Sequence, residues 1–357
     1  MEVKNLFNFT LPALTAEMVS LGESKFRSKQ LFAWIYQKHV LDFDQMSDIS
    51  KNFRAILKRD YCLTLPTVFK RQDSEDGTLK LLLEMSDGAK VETVLMRYNY
   101  GNVICVSSEV GCNMGCAFCA SGLLKKERNL TAAEMVGQVL VMNELLAPEK
   151  ENVTHIVVMG TGEPFDNYDN VLAFVHIMND AAGLAIGARH ITVSTCGLVD
   201  GIRKYAKEGI QINLAISLHA PTDEIRQKIM PIAKAYPLKE LMDAVHDYEA
   251  EGGRRVTFEY IMLKGVNDSL EDADALAKLI RGTLAYVNLI PYNPVKEKPY
   301  ERSPEPQVRA FWDRLMKQGI NTTIRKEFGS DIDAACGQLR VKYILPKKPT
   351  DGGDDEQ

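Results

Sequence analysis

The stretch VICVSSEVGCNMGCAFC, from Val103 to Cys119, decides how the rest of the chain is read. Its first six residues, VICVSS, form a short apolar run of the length of a buried strand, and cysteines follow at 112, 116 and 119. Thiols at this density on the loop leaving a strand point to zinc or iron–sulfur chemistry, because soft sulfur ligands select those metals. A structural zinc site is closed by four protein ligands. No second cysteine pair or closely spaced histidine pair stands nearby, and the histidines (39, 155, 176, 190, 219 and 246) are scattered singly. Three thiolates on a [4Fe–4S] cluster leave one iron open to a non-protein ligand, as a catalytic cluster requires. Structural zinc and three metal-free thiols are the alternatives.

Working outward, the rhythm of that first strand repeats. Apolar runs begin at His155 (HIVVMG), Ile191 (ITVSTC), Ile212 (INLAISL), Val256 (VTFEYIML) and Tyr286 (YVNLIPY). Helix-like segments lie between them, one opened by the capping box Thr131-x-x-Glu134. Alternating strands and helices predict an α/β fold, a parallel sheet covered on its outer face and curved by right-handed crossovers into a partial (βα)6 barrel over 101–345. A helix at 306–317 and a strand at 321–326 complete it. Upstream, residues 1–65 predict a small N-terminal helical domain. One helix runs 25–38 behind Ser24, with Phe26, Leu31, Trp34 and Ile35 inward; another follows Ser50, with Phe53, Ile56 and Leu57 inward. Lys25, Arg27, Lys29, Lys38, Lys51, Arg54, Lys58 and Arg59 give this head a mild positive excess, either solvated helix faces or an RNA-facing surface. Strand-like runs at 67–72, 78–85 and 89–98, joined at Asp76-Gly77 and Asp87-Gly88, predict a β-meander connector over 66–100. The polar tail, 346–357, is expected to be disordered.

Composition narrows the function classes. The chain has 357 residues, 45% hydrophobic and 25% charged, which excludes collagen-like, disordered and small disulfide-scaffold proteins. No apolar run reaches the ~20 residues of a membrane span and the start lacks a signal-peptide core, so a soluble cytoplasmic protein with no membrane partner is expected. Seven cysteines, three of them clustered, read in a reducing compartment as metal or redox chemistry. A net charge of −5 gives no hint of a nucleic-acid partner. No long heptad pattern appears, so a monomer is expected.

Cys-x3-Cys-x2-Cys with Phe118 before the third cysteine resembles the radical S-adenosylmethionine (SAM) superfamily. Gly160-Thr-Gly162-Glu163-Pro164, ending the second parallel strand, resembles that superfamily's Gly-Gly-Glu element, in which glycine admits the cofactor and the carboxylate receives its amino group. From about residue 5 to 345 the chain resembles the RlmN/Cfr family of RNA adenine methyltransferases. The shared phrases are VETVLM (91–96), CVSSEVGC (105–112), VTFEYIML (256–263), GVNDS (265–269) and DIDAACGQL (331–339).

The resemblance implies a specific chemistry. Adenine C2 offers no lone pair to attack a sulfonium, so a cofactor must carry a radical route. One SAM methylates a protein thiol; a second, cleaved reductively at the cluster, yields a 5′-deoxyadenosyl radical that takes a hydrogen from that S-methyl. The carbon radical adds to the base, and a second thiol resolves the enzyme–RNA thioether by forming a transient disulfide. By resemblance Cys112, Cys116 and Cys119 hold the [4Fe–4S] cluster, Cys336 is the methyl-bearing thiol, Cys105 the resolving one, and Glu92 the acid–base residue. The implied SAM contacts are Gly162, Glu163, Ser194, Ser217, Leu218, His219 and Asn293. The implied substrates are adenines of 23S rRNA near the peptidyl-transferase centre and of tRNA next to the anticodon, with an electron donor such as flavodoxin.

Each residue also has a plain reading. Glu92 would be an exposed strand-edge carboxylate, His219 a satisfied structural histidine, Cys336 a small buried hydrophobe, and Cys105 a core residue. Cys62 and Cys196 are read as core with no role. Two other functions compete: C8 methylation of the same ribosomal adenine, conferring antibiotic resistance, and a non-catalytic iron–sulfur or zinc RNA-binding assembly factor. Cys119-Ala-Ser-Gly122 and Glu259 resemble the C2 branch; the C8 branch is expected to carry Cys-Ala-Thr-Gly and to lack that glutamate.

Overall fold

The computed structural model describes residues 3–252, 254–332 and 343. At the N-terminus, β1 (Lys4–Asn5) pairs in parallel with β2 (Tyr61–Cys62), tying the two ends of the helical head together. Between them lie α1 (Leu11–Ser20), α2 (Phe26–Phe32) and α3 (Lys51–Asp60). Ser50 caps α3 by accepting Phe53 N–H, and Phe53 and Leu57 are buried as the spacing requires. The expectation for 25–38 needs one correction. The α-helix ends at Phe32 and continues as a π-helical turn, Ala33–Gln37, and Phe26 is 63% exposed. Phe26 stands five residues before Leu31, off the i, i+3, i+4 face that Leu31 and Ile35 share.

The meander forms as β3 (Thr67–Asp73), β4 (Leu79–Glu84) and β5 (Lys90–Tyr98), all antiparallel. β5 then pairs antiparallel with β6 (Gly101–Cys105), so the meander is hydrogen-bonded into the barrel sheet. A side ladder of β7 (Glu109–Val110) with β8 (Arg128–Asn129) follows. The parallel strands continue as β9 (His155–Val158), β10 (Ile191–Thr195), β11 (Asn213–Ser217), β12 (Thr257–Met262), β13 (Tyr286–Pro291) and β14 (Thr322–Ile324). Apart from the side ladder, the strands from β3 to β14 lie in one ten-stranded sheet in chain order. The parallel strands β6 and β9 to β14 are those the strand–helix alternation predicts, and the antiparallel meander extends the same sheet.

Helices α4 (Ala132–Leu146), α5 (Tyr168–Asn179), α6 (Val199–Ala206), α7 (Asp223–Ile229), α8 (Leu238–Gly252), α9 (Leu270–Leu279) and α10 (Glu305–Lys317) connect or follow the parallel strands. The Thr131–Glu134 capping box opens α4 with both of its hydrogen bonds. Side chains alternate across each strand. Ile104, Ile156, Val193, Ile216, Phe258 and Leu289 join the main core, which extends into the head through Phe7, Phe32 and Tyr36. The opposite parity, with Thr192, Thr257, Glu259 and Asn288, lines an interior cavity. A second, smaller core of Phe118, Ala120, Cys196, Ile229, Met230, Ile261 and Tyr292 lies beside the cysteine loop. Among the described residues no helix is long and apolar enough to cross a membrane.

Candidate active site

Loops at the carboxyl ends of parallel strands gather ligands in this architecture, and the cysteine loop leaves β6 there. Gly111 adopts φ +82°, and a Cβ on it would sit 2.0 Å from Lys125 O, so only glycine lets the loop double back. Cys112 N–H donates to Leu124 O (3.1 Å), Ala117 N–H to Ile229 O (2.8 Å) and Cys119 N–H to Cys116 O (3.2 Å). Cys116 and Cys119 rest against the smaller core. Burial pushes the Cys112 thiol up to about 12 and Cys116 upward as well, with the neighbouring cysteines adding to both. Among the described residues no three His, Cys, Asp or Glu side chains converge to metal-ligating distance.

The Gly160–Pro164 turn packs on the strand that leads into this loop. Cβ atoms at Gly160 and Gly162 would lie 2.7 Å from Ser107 Oγ and 2.6 Å from Glu109 Cβ, and Gly162 has φ +111°. The room these glycines make is therefore occupied by residues 107–109, a reason the sequence reading did not supply. Thr161 O accepts N–H bonds from Ser108 (2.9 Å) and Glu109 (3.1 Å). Glu163 is 3% exposed; its Oε1 accepts Phe165 N–H (3.0 Å) and its Oε2 accepts Cys196 N–H (2.7 Å). Burial pushes its carboxyl above the usual range, against the pull of these bonds. The Thr195 and Cys196 side chains also hydrogen-bond this carboxylate, so backbone and side-chain donors together fix its orientation.

The remaining candidate ligand residues follow β10, β11 and β13. Ser194 is buried on β10, Ser217 is half-buried as the last residue of β11, and Leu218 is fully buried. His219 has φ +56°, and its Nδ1 accepts Ile261 N–H (3.0 Å), so the neutral ring carries its proton on Nε2. Burial first, then the charges of Arg226 and Arg325, push it down to about 3. His219 therefore ties β11 to β12, as the structural reading expects, with its ring edge-on to Phe118 at 5.0 Å. Asn293 lines the cavity beside Tyr292.

That cavity, about 720 Å³, runs the height of the barrel from Phe118 and Cys119 to Tyr98 and Tyr100. Cys105, 7% exposed, lines it together with Cys119. Opposite Cys105 in the antiparallel register stands Val94, and Glu92 lies two residues further along that face. The edge-carboxylate reading of Glu92 is corrected here: it is 4% exposed and paired with the fully buried Lys80, Nζ to Oε2 2.9 Å. β4 and the rest of the sheet flank β5, so its alternation does not lead to solvent. Cys336 lies outside the described residues. On either side of it, Asp331 accepts from Ser74 Oγ and from Glu75 N–H (3.1 Å), and Tyr343 meets Phe69 edge-on at 5.9 Å. Both anchors are on the meander. Cys62 is half-buried on β2, and Cys196 is buried in the smaller core next to Glu163.

Two polar features escaped the sequence reading. Arg226 is fully buried and, among the described residues, donates to the carbonyls of Cys196 (2.7 Å), Leu218 (3.2 Å) and Tyr236 (3.4 Å). It sits in the charged run DEIRQKI, which reads as a solvated face, so no local signal marks it. Glu109, also buried, is bridged by Lys126 Nζ (2.6 Å) to Asp166 (2.7 Å), a triad assembled from three separate segments.

Comparison with known proteins decides the family. Residues 4–63 match the ribosomal RNA large subunit methyltransferase N-terminal domain, and 106–280 match the radical SAM superfamily. A probable dual-specificity RNA methyltransferase RlmN of Spiroplasma citri is 54% identical over 95% of this chain and 97% of its own length. Its counterpart from Geobacillus kaustophilus is 52% identical over 95% and 93%. The crystal structure of a radical SAM methyltransferase from Sphaerobacter thermophilus superposes with a TM-score of 0.88 at 43% identity, covering 94% of this chain and 98% of that one. This chain belongs to the RlmN family of radical SAM RNA methyltransferases.

RlmN membership implies SAM and a [4Fe–4S] cluster, and the residues present fit both. The loop carries three thiols, Cys112, Cys116 and Cys119, the number that leaves one iron of a [4Fe–4S] cluster open to SAM. Ser121 Oγ, two residues past Cys119, and Thr161 Oγ1, within the glycine turn, are buried with no hydrogen-bond partner among the described residues. Buried hydroxyls without partners suit a polar ligand that would satisfy them.

Proposed function

We propose that the protein methylates C2 of an adenine in 23S rRNA, at the peptidyl-transferase centre, and of an adenine next to the anticodon in tRNA. The observation that carries this reading is the single cavity that Cys105 and Cys119 both line, with the buried Glu92–Lys80 pair on the adjoining strands. A thiol in the same space as the cluster loop serves turnover of a covalent intermediate; an RNA-binding assembly factor needs none. Cys112, Cys116 and Cys119 would hold the cluster. Gly162, Glu163, Ser194, Ser217, Leu218, His219 and Asn293 would hold SAM, with the Glu163 carboxylate taking the ammonium. Together the bound groups supply a hydrogen-abstracting radical when an electron donor such as flavodoxin reduces the cluster.

The chain's own thiols and carboxylate do the rest. Cys336 bears the methyl group and becomes joined to RNA through its sulfur. The Cys105 thiolate attacks that sulfur, the S–S bond forms as the S–C bond breaks, and the released carbon takes a proton to become the methyl group. Glu92 moves the proton at the modified carbon or at the Cys105 thiol. The protein acts in this reading as a cytoplasmic monomer.

Glu259 supports the C2 branch over C8. It is 4% exposed, accepts from Asn288 Nδ2 and Arg325 NH2 (both 2.9 Å), and lines the cavity. Incubating the anaerobically reconstituted protein with SAM, reductant and unmodified 23S rRNA, followed by digestion and mass spectrometry of nucleosides, is expected to give 2-methyladenosine. Recovery of 8-methyladenosine would move the protein to the sister activity.

A further inference from the structure

The amino ends of the parallel strands carry rings and cations that the proposed chemistry does not use. Tyr98 and Tyr100 flank the β5–β6 turn and stack 4.7 Å apart at 22°. Gly101 has φ +143°, and a Cβ there would lie 2.2 Å from Thr154 Oγ1, so glycine lets this turn close against β9. That closure sets Tyr100 edge-on to His155 at 5.1 Å, and His155 stacks on His190 at 4.1 Å and 25°. Burial, with the charge of His190, holds His155 below the ordinary imidazole value. Phe328 meets Tyr98 at 4.5 Å, with Lys326 Nζ 4.8 Å over its ring. Tyr100 is 63% exposed, an unusual outlay of aromatic surface unless something stacks on it.

Cations stand beside these rings. Arg189 precedes His190, Arg255 lies 4.7 Å over Tyr286, and Lys326 caps Phe328; none forms an ion pair among the described residues. In the head, Arg27, Lys58 and Arg59 are held by Glu23, Asp44 and Asp60, while Lys25, Lys29, Lys38 and Lys51 form no ion pair among the described residues. The mouth is also continuous with the reaction space, because Tyr98, Tyr100, Lys326 and Phe328 line the same cavity as Cys105 and Cys119.

We propose that single-stranded RNA enters the barrel through this mouth, with Tyr100, His155 and His190 stacking bases that flank the target adenine and Arg189, Arg255 and Lys326 holding phosphates. The inference rests on the RNA reading above and adds where the RNA docks. Recognition of unpaired RNA relies on bases splayed onto aromatic faces, and alternating rings with cations is the chemistry that binds it. A target base fed from this end reaches the cluster loop along the lumen without displacing the smaller core.

The test uses the full-length protein and fluorescence anisotropy with a short RNA hairpin carrying an unpaired loop adenine. Tyr100→Ala weakens binding about tenfold, the loss of roughly one stacked base, and Tyr100→Phe restores it. Arg255→Gln combined with Lys326→Gln lowers the slope of log Kd against log salt by about 1 to 2, as two lost phosphate contacts require. All these side chains are on the surface of the mouth, and matching thermal unfolding curves confirm intact protein. If Tyr100→Ala and the double variant bind as tightly as wild type with an unchanged salt slope, the proposal is overturned, and loss of binding in Lys25→Glu with Lys29→Glu would then make the head the docking surface. Wild-type protein that binds no hairpin at all overturns the RNA reading itself.

Discussion

Cys105→Ala is expected to leave the protein covalently trapped on its RNA, and Cys336→Ala to form no adduct. The first substitution removes a single sulfur from a buried strand end whose backbone is held independently, its carbonyl accepting Thr93 Oγ1 at 2.8 Å. Losing so small a group from a cavity wall costs little stability, so the variant folds and carries the chemistry up to the thioether. It then has no thiolate with which to break the S–C bond, and adduct accumulates toward one RNA per chain. In the proposed scheme Cys336→Ala lacks the sulfur that would bear the methyl group, so the pathway is expected to stop before any bond to RNA. Denaturing gels with labelled RNA separate the two results. Identical behaviour of both variants would show that the two thiols have been assigned the wrong roles.

Glu92→Gln lowers methylation by about 10²–10⁴, the range of a positioned acid–base group. The difficulty is that Glu92 also compensates Lys80, and removing one member of a buried ion pair costs about 3–5 kcal/mol. Lys80→Met combined with Glu92→Met resolves this, because replacing both charges by well-packed apolar groups of similar volume is often neutral for stability. The double variant is expected to regain the wild-type unfolding temperature and to remain inactive. Recovery of both stability and methylation would reduce Glu92 to a structural partner of Lys80.

Much of the architecture is written locally. The apolar runs beginning at Val103, His155, Ile191, Ile212, Val256 and Tyr286 each become a parallel strand, because burial on a covered sheet demands such runs whatever the rest of the chain does. The alternation inside them, Thr257 and Glu259 against Phe258 and Tyr260, already separates cavity from core. The cysteine loop and the Gly160–Pro164 turn are legible for the same reason: each is a short contiguous phrase at a strand end. What was not legible depends on meetings between distant segments. Arg226 is satisfied by carbonyls of Cys196, Leu218 and Tyr236, which no window around residue 226 contains together. Glu92 looks like an edge carboxylate until β4 brings Lys80 beside it. Phe26 fits a helix of uniform pitch but lies outside the buried face, next to a segment that widens into a π-turn. The ring of Tyr100, His155 and His190 draws on three different strand ends, so it exists only in the folded sheet.

The central claim is that Cys112, Cys116 and Cys119 hold an iron–sulfur cluster that cleaves SAM. Metal analysis of anaerobically reconstituted protein, paired with a 5′-deoxyadenosine assay with and without reductant, tests it most directly. The expected result is about four iron per chain, reductant-dependent 5′-deoxyadenosine, and loss of both in Cys116→Ser. Zinc in place of iron, with no reductant-dependent cleavage of SAM, would contradict it.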